Sequence, residues 1–344
     1  MDLKRKIRVL VVDDSMVIRE ALARGMGSDP AIEVVGIASD AYIASKMIIE
    51  LKPDVVTLDV EMPIMNGIEF LKRLMDQYPI PVVMISAMNN SVFEALQAGA
   101  VDFVCKPEGY SERSVSNFIN EMIIKIKIAS MARVGQRKND NVHRPQAVGG
   151  GRGSKIKMIA MGASTGGTEA IASIIRNLPV DLPGIVIVQH MPPVFTRMYA
   201  ARLNDSCEWE IREAVDGDMI RPGLALIAPG GYHMTVSKGG TGYTVRCWQG
   251  DKVNGHCPSV DVLFNSVSSQ VRGGALGVIL TGMGADGAKG LMAMRQSGAV
   301  TIGQDEHTSV IYGMPKVAFT TGAVELQASL EKIPALICSA IAGK

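Results

Sequence analysis

Short apolar runs alternate with helical stretches along residues 1–128. The first run, Ile7–Val12, is continuous rather than alternating, which is typical of a strand buried on both faces of a parallel sheet. Each run is followed by a segment with helical spacing and then by the next run. This order predicts a (βα)5 unit, an α/β fold with a doubly wound parallel sheet. The remaining strands are predicted at Glu33–Ala38, Asp54–Leu58, Pro81–Ile85 and from Phe103 onward.

A second α/β pattern occupies residues 156–344. Apolar runs such as Met158–Met161 and Ile185–Val188 again end in glycine or polar residues and lead into helical stretches. The segment Lys238–Gly242 has the composition of a hairpin tip. This half is therefore predicted to be a doubly wound, mostly parallel α/β domain with a small antiparallel insertion.

Residues 129–155 interrupt both patterns. They are polar and glycine-rich, without helical or strand periodicity, and hold six Lys or Arg residues against one Asp. We expect a flexible basic linker between two domains, residues 1–128 and 156–344. Its charge could also contact an acidic partner or lipid headgroups, but a solvated tether is the simpler interpretation.

Composition narrows the function classes. The 344 residues carry a net charge of +1, which gives no general reason to expect a nucleic-acid-binding protein. The five cysteines include no CxxC pair, so a zinc site or a disulfide framework is not expected, and a reducing cytoplasm fits. No apolar stretch reaches the ~20 residues that a membrane-spanning helix needs, so the chain is expected not to be embedded in a membrane.

Polar side chains follow the predicted strands of the first domain. Asp13 and Asp14 follow the first strand, Asp59 the third, Ser86 the fourth and Lys106 the fifth. The carboxyl ends of parallel strands meet at one edge, where clustered carboxylates require a compensating cation. Oxygen ligands favour Mg²⁺, which with Lys106 would stabilise a phosphoryl group moving to Asp59 while Ser86 donates a hydrogen bond to it.

These residues resemble a response-regulator receiver domain, which is flavodoxin-like, over about residues 5–127. The resemblance implies that Asp59 is the phosphoacceptor and that Mg²⁺ binds Asp13, Asp14, Asp59 and the backbone carbonyl of Glu61. It also implies that Phe103 is the switch aromatic residue.

A candidate nucleophile lies in the second domain. Ser164 stands in Gly162-Ala-Ser-Thr-Gly-Gly between a predicted strand and helix, where glycines permit a sharp turn. A serine needs a base and a group that orients the base. His190 and Asp286 follow later strands and should reach the same edge of the sheet. We therefore predict a Ser164–His190–Asp286 triad, with no cofactor.

Other interpretations of these motifs compete with the triad. Gly162–Gly166 matches G-x-S-x-G, which in an α/β-hydrolase predicts the order Ser, acid, His and would select His307 instead of His190. The Gly282–Gly287 segment, with Asp305 beyond it, mimics a dinucleotide-binding fingerprint. The Ser164 loop by itself could also bind phosphate or cap a helix. For His233 and His256, we favour structural roles over roles in the site.

The whole chain, except the linker, resembles the family of chemotaxis protein-glutamate methylesterases with a receiver domain. Six motifs occur in family order: Gly162-Ala-Ser-Thr-Gly-Gly, Gln189-His-Met-Pro-Pro-Val-Phe-Thr, Ala228-Pro-Gly-Gly-Tyr-His-Met, Pro258-Ser-Val-Asp-Val-Leu-Phe, Thr281-Gly-Met-Gly-Ala-Asp-Gly and Tyr312-Gly-Met-Pro. The resemblance implies the same triad, with Thr165 beside the nucleophile and the Met283 backbone N–H as an oxyanion donor.

The resemblance also implies a reaction and its partners. The expected substrate is a glutamate γ-methyl ester on a chemoreceptor, with methanol as the product, and glutamine deamidation is expected as well. A chemotaxis histidine kinase would supply the phosphate, and the cytoplasmic enzyme would act at receptor arrays on the inner face of the membrane. The unphosphorylated receiver is expected to cover the catalytic edge. A phospho-regulated hydrolase acting on another ester, and a non-enzymatic binding module, remain as alternatives.

Overall fold

The computed structural model describes residues 5–87, 91–107, 109, 111–135 and 155–343. The chain divides into two compact units, residues 1–138 and 139–344. Most of the predicted linker, residues 136–154, lies outside the described residues. Within the described ranges, no helix combines the length and the apolar character needed to cross a bilayer.

The N-terminal unit contains the predicted five-stranded parallel sheet. Its strand order is β2-β1-β3-β4-β5. Strands β3 and β4 are buried at every position, as expected for a sheet covered by helices on both faces. The elements are β1 (Ile7–Val12), α1 (Met16–Gly27), β2 (Ile32–Ala38), α2 (Ala41–Leu51), β3 (Val55–Asp59), α3 (Gly67–Gln77), β4 (Val82–Ser86), α4 (Ser91–Ala98), β5 (Asp102–Cys105) and α5 (Glu112–Ala129).

The C-terminal unit is built on a seven-stranded sheet in the order β15-β14-β13-β6-β7-β10-β8, and all of its recorded pairings are parallel. Its elements are β6 (Met158–Ala163), α6 (Gly167–Arg176), β7 (Ile185–Gln189), α7 (Phe195–Ser206), β8 (Glu210–Glu213), β9 (Met219–Ile220), β10 (Leu224–Ile227), β11 (His233–Lys238), β12 (Tyr243–Trp248), α8 (Val260–Gln270), β13 (Ala275–Ile279), α9 (Ala288–Gln296), β14 (Val300–Gln304), α10 (Met314–Thr320), β15 (Leu326–Ala328) and α11 (Ile333–Ala342).

A small antiparallel sheet, ordered β11-β12-β9, accompanies the large one. The hairpin tip predicted at Lys238–Gly242 is confirmed, because β11 ends at Lys238 and the Gly239 N–H donates to the Gly242 carbonyl at 2.8 Å. A single apolar core joins this sheet to the large one through α8 and α9; it includes Met234, Val260, Phe264 and Met294. The prediction of a mostly parallel domain with an antiparallel insertion is thus confirmed.

The first strand of the large sheet, β6, lies at its centre between β13 and β7. The chain continues from β6 to one side of the sheet, through β7 and β10, and later returns to build β13 and β14 on the other side. The winding direction therefore reverses between β6 and β13. Ligand sites in sheets of this kind lie outside the carboxyl ends of the strands at such a switch point.

Candidate active site

The Ser164 turn connects β6 directly to α6. The Ser164 N–H donates to the Thr281 carbonyl at 3.0 Å, and the Ser164 carbonyl accepts from the Gly167 N–H at 2.7 Å. Both backbone groups of the serine are therefore held by the protein, and Ser164 itself is half-buried. This fixes the position of the side chain at the carboxyl edge of the central strand.

His190 leaves the neighbouring strand at the same level. Ala163 is paired with Gln189 in the parallel register of β6 and β7, and the His190 N–H donates to the Ala163 carbonyl at 3.1 Å. The buried Gln189 amide donates to the Ser164 carbonyl at 2.9 Å and to the His190 carbonyl at 3.3 Å. Since paired strands lie about 4.8 Å apart, Ser164 and His190 stand side by side.

Asp286 reaches this edge from the loop between β13 and α9. Its Oδ2 atom lies 2.8 Å from His190 Nε2, so the structure brings together the acid and the base that the sequence predicted. The side chain is 1% exposed. Its two oxygens accept four further hydrogen bonds, from the N–H groups of Val260 and Asp261, from Ser259 Oγ and from Asn254 Nδ2.

The charge on Asp286 is stabilised by these donors. Burial by itself would raise the pKa of Asp286, but the hydrogen bonds from His190 and Asn254 outweigh it and hold the pKa well below its usual range. Val260 and Asp261 are the first residues of α8, so the carboxylate also lies at a helix N-terminus, which favours negative charge. A carboxylate that is ionised near neutral pH and lies next to an imidazole can orient the ring and stabilise its protonated form.

The two nitrogens of His190 have different environments. Nε2 faces Asp286, while Nδ1 is buried and has no hydrogen-bond partner among the described residues. If Nε2 carries the proton donated to Asp286, Nδ1 is the nitrogen with a free lone pair. In the described residues no hydrogen bond is recorded for Ser164 Oγ, and catalytic hydrogen bonds of this kind often form only once substrate is bound.

The loop after β13 packs against the nucleophile turn. Thr281 accepts the Ser164 N–H with its carbonyl, and its Oγ1 atom donates to the Thr165 carbonyl at 3.0 Å. The next residue, Gly282, is so close that a methyl group added there would lie 2.7 Å from Ser164 Cβ. Met283 follows at once, and its N–H has no recorded acceptor among the described residues. No hydrogen bond within the described residues therefore occupies this N–H.

Replacing Gly282 with Ala tests how tightly this loop holds the nucleophile. The added methyl group would press on Met314 Sδ and on Ser164 Cβ, and the backbone of Gly282 does not require a positive φ, so the change is opposed only by lack of space. We expect the rate of Ser164 labelling by a fluorophosphonate to fall by about 100-fold, since a shift of ~1 Å has effects of that size. Gly240→Ala is the control, because nothing lies within 4 Å of a methyl group there. Unchanged labelling of Gly282→Ala would show that this contact does not position the serine.

The other three histidines of residues 156–344 have different environments. His307 is exposed and Asp286 bonds His190, so the order Ser, acid, His that pointed to His307 is wrong. His233 is fully buried, accepts from the Ser259 N–H and contacts the Asp251 carbonyl through Nε2, which confirms a structural role. His256, in contrast, stacks on the His190 ring with centroids 3.7 Å apart.

Sequence reasoning missed several residues that hold the site. Thr281 and Gln189 belong to the sequence motifs, but nothing in their residue types predicts that they bond the backbone of Ser164. Asn254 lies outside those motifs. Asn254-Gly255 was a usable signal, since this dipeptide favours a tight hairpin turn and His256 comes directly after it.

The N-terminal unit brings a second group of predicted residues together. Lys106 Nζ lies 2.7 Å from Asp59 Oδ2 and 3.5 Å from Asp13 Oδ2. Ligand oxygens of Asp13, Asp14 and Asp59 all lie within 4.8 Å of one another. Burial raises the pKa of Asp59 to about 6, although the hydrogen bond from Lys106 opposes the shift.

This cluster has the donor chemistry of a site for a hard cation. Both Asp13 Oδ2 and Asp59 Oδ1 are buried; the first has only the long ion pair with Lys106, and no donor among the described residues is recorded for the second. Unbonded, buried carboxylate oxygens are costly unless a cation compensates them, and oxygen ligands suit Mg²⁺. Ser86 is buried with Oγ 3.0 Å from Ser91 Oγ, Phe103 is buried, and Glu61 is exposed.

Comparisons with known proteins cover both units. The CheB methylesterase family matches residues 159–337, and the response regulator receiver domain family matches residues 9–114. A curated relative from Syntrophomonas wolfei, named protein-glutamate methylesterase/protein-glutamine glutaminase 2, is 57% identical over 96% of both chains. A relative from Syntrophotalea carbinolica, named protein-glutamate methylesterase/protein-glutamine glutaminase, is 50% identical over 96% of both chains.

A solved structure resembles the C-terminal unit. The CheB methylesterase catalytic domain of Thermotoga maritima is 36% identical, covers 54% of this chain and 98% of its own, and gives a TM-score of 0.52. The alignment over nearly the whole of that domain supports the seven-stranded sheet as the scaffold of the candidate site.

Proposed function

Because the chain belongs to the CheB methylesterase family and also carries a response regulator receiver domain, we propose that it is a phosphorylation-regulated methylesterase of chemotaxis receptors. In this proposal it hydrolyses glutamate γ-methyl esters to glutamate and methanol, and deamidates receptor glutamines to glutamate and ammonia. The two curated relatives are named for both activities. The observation that carries the proposal is the buried His190–Asp286 pair beside Ser164, at the switch point of the sheet.

In the acylation step, Ser164 Oγ attacks the ester carbonyl while His190 Nδ1 takes the serine proton. The free lone pair on Nδ1 supports this role, and Asp286 stabilises the imidazolium that results. As the tetrahedral intermediate collapses, the carbon–oxygen bond to the methoxy group breaks and His190 returns the proton, so methanol leaves. A glutamyl ester on Ser164 remains.

In the deacylation step, water replaces the leaving alcohol. His190 Nδ1 takes a proton from water, the hydroxide oxygen bonds to the acyl carbon, and the bond to Ser164 Oγ breaks as the serine regains a proton. The products are a receptor glutamate and the free enzyme. For a glutamine side chain the same steps apply, except that ammonia leaves after protonation of its nitrogen.

The developing oxyanion needs donors that are already oriented. We assign the Met283 N–H to this role, because Gly282 holds this stretch of backbone against Ser164 and the N–H has no described acceptor. The backbone of Thr165 is assigned as the second donor. The Thr281 hydroxyl donates to the carbonyl of Thr165 and so helps to fix the backbone beside the nucleophile.

Phosphorylation of the receiver domain depends on Mg²⁺. We assign Asp13, Asp14, Asp59 and the Glu61 carbonyl as its ligands; a bound Mg²⁺ would neutralise charge on the incoming phosphoryl group. Asp59 Oδ1 is the nucleophilic atom best supported by the geometry, since Oδ2 is bonded to Lys106 and Oδ1 accepts nothing from described residues. Ser86 and Lys106 would then hold phosphoryl oxygens, and Phe103 would respond to them.

The proposed partners follow from the reaction. Methyl-accepting chemoreceptors are the substrates, a chemotaxis histidine kinase is the phosphodonor, and the protein acts where receptors gather at the inner face of the membrane.

Methanol release from methylated chemoreceptors tests the proposed function. Full-length protein is mixed with receptor membranes bearing isotopically labelled methyl esters, with and without a small acyl phosphate and Mg²⁺. We expect labelled methanol in both cases and faster release with the phosphodonor. In Asp59→Asn the phosphodonor should no longer raise the rate. Absence of methanol from the phosphorylated full-length protein would refute the assigned reaction.

A further inference from the structure

A tight turn at Val253–His256 lies against the catalytic residues. The Val253 N–H donates to the His256 carbonyl at 3.0 Å, and the His256 N–H donates to the Val253 carbonyl at 2.9 Å. The two central residues have positive φ angles, 53° at Asn254 and 83° at Gly255. This is the pattern of a type I′ turn, for which Asn-Gly is the preferred sequence. The turn therefore has a single, well-defined geometry.

Both side chains that project from this turn contact the site. Asn254 Nδ2 lies 2.8 Å from Asp286 Oδ1 and 2.8 Å from Asp261 Oδ2, so it bridges two buried carboxylates. The His256 ring is stacked on the His190 ring, with 3.7 Å between centroids and only 8° between planes. One turn thus holds the acid on one side and covers a face of the base on the other.

The hydrogen bond to Asp286 does not by itself define the tilt of the His190 ring. The torsion that rotates an imidazole about the Cβ–Cγ bond is broad, unlike the torsions between tetrahedral carbons. The hydrogen bond to Asp286 fixes one ring atom, Nε2, but a single bond tolerates tilting about it. A ring stacked at van der Waals distance restricts that tilt and so aims Nδ1.

We propose that His256 is a positioning residue, whose stacked ring fixes the plane of the His190 imidazole and directs Nδ1 toward Ser164. This inference rests on the proposed serine mechanism and deepens it. His256 does not itself transfer a proton to His190, because nearly parallel rings place one over the face of the other, whereas the nitrogen lone pairs lie in the ring planes. What the site uses is the flat surface of the ring.

This role predicts that any flat ring can replace His256 and that a side chain without a ring cannot. In the full-length protein we compare His256→Phe, His256→Leu and His256→Gln. The rate of Ser164 labelling by a fluorophosphonate and the kcat for methanol release should fall by about 10- to 100-fold in His256→Leu and His256→Gln, since small errors in placement have effects of this size. KM should stay within about twofold. His256→Phe should recover most of kcat.

Two further measurements separate positioning from a general loss of structure. A downfield N–H proton resonance from the His190–Asp286 hydrogen bond should persist in all three variants and be broadened where no ring covers His190. Thermal unfolding should be alike in His256→Leu and His256→Phe. His307→Leu, at an exposed histidine outside the site, is the control and should match the wild type in every assay.

Specific outcomes would overturn the inference. If His256→Leu turned over at the wild-type rate, the stack would have no role; if His256→Phe were as slow as His256→Leu, polar atoms of the histidine rather than its ring surface would be required. If His256→Leu proves less stable to unfolding than His256→Phe, the kcat of His256→Gln decides the outcome, because it is a second variant without a ring. Failure of the wild-type protein to release methanol would count against the proposed function, not against the stack.

Discussion

Ser164→Ala is expected to abolish methanol release, with kcat reduced by about 10⁶-fold, as observed when the nucleophile of a serine hydrolase is removed. Alanine at this position has no oxygen atom with which to form the acyl-enzyme. Fluorophosphonate labelling should vanish in the same variant. The measurement is a single-turnover assay on labelled receptor membranes, together with mass spectrometry of the modified peptide.

The fold should not be affected by this substitution. Ser164 is held by its backbone N–H and carbonyl, which alanine retains, and its Oγ has no recorded hydrogen bond within the described residues. Unfolding by denaturant should therefore be unchanged. Ser269→Ala, on the exposed surface of α8, serves as the matched control and should keep full labelling and turnover. Labelling of a different serine in Ser164→Ala would place the nucleophile elsewhere.

Asp286→Asn is expected to give the second largest loss, about 10⁴-fold in kcat, which is the effect known for an amide at this position of a triad. An amide cannot stabilise the imidazolium, and its NH₂ group would either face His190 Nε2 or turn toward the N–H groups at the start of α8. The first orientation selects the His190 tautomer that is protonated on Nδ1, which cannot act as the base, and the second sets donor against donor. Turnover and the tautomeric state of His190, read from ¹⁵N chemical shifts, measure this loss.

The same substitution should lower the stability of the C-terminal unit by about 1–3 kcal/mol, because buried donors lose their acceptor. The pKa of Asp286 is depressed in the folded protein, so its stabilising contribution is fully present above the ordinary carboxyl pKa of about 3.9 and is lost as pH falls below it. The stability difference between wild type and Asp286→Asn should therefore shrink on acidification. Asp305→Asn is the control. A constant difference down to the lowest accessible pH would mean that the charge on Asp286 contributes nothing.

The order of strands and helices could be predicted from the sequence because each element depends on the hydrophobic pattern of its own residues. Continuous apolar runs such as Ile7–Val12 became buried parallel strands, and the residues that follow them came to the carboxyl edges of the two sheets. Since parallel strands all point the same way, residues that follow their carboxyl ends lie at the same edge of the sheet. Ser164, His190 and Asp59 could therefore be predicted without knowing strand order.

What the sequence could not provide depends on contacts between loops. The bridge from Asn254 to Asp286 and the stack of His256 on His190 arise because the turn after β12 folds over an edge built from β6, β7 and β13. The hydrophobic periodicity of the sequence does not predict that this turn contacts the edge of the sheet. Nor does the sequence distinguish Nδ1 from Nε2 of His190, since the assignment depends on where Asp286 stands in space.

The central position of β6 bears on how the protein emerges from the ribosome. Ser164 and His190 come from adjacent strands joined by one helix, but the carboxylate that completes the set follows His190 by 96 residues. At a synthesis rate of about 5–20 residues per second, roughly 5–20 s pass before it is available. Throughout that interval the nascent chain carries a serine whose base has no anionic partner, so its reactivity toward esters stays low until the second half of the sheet is complete.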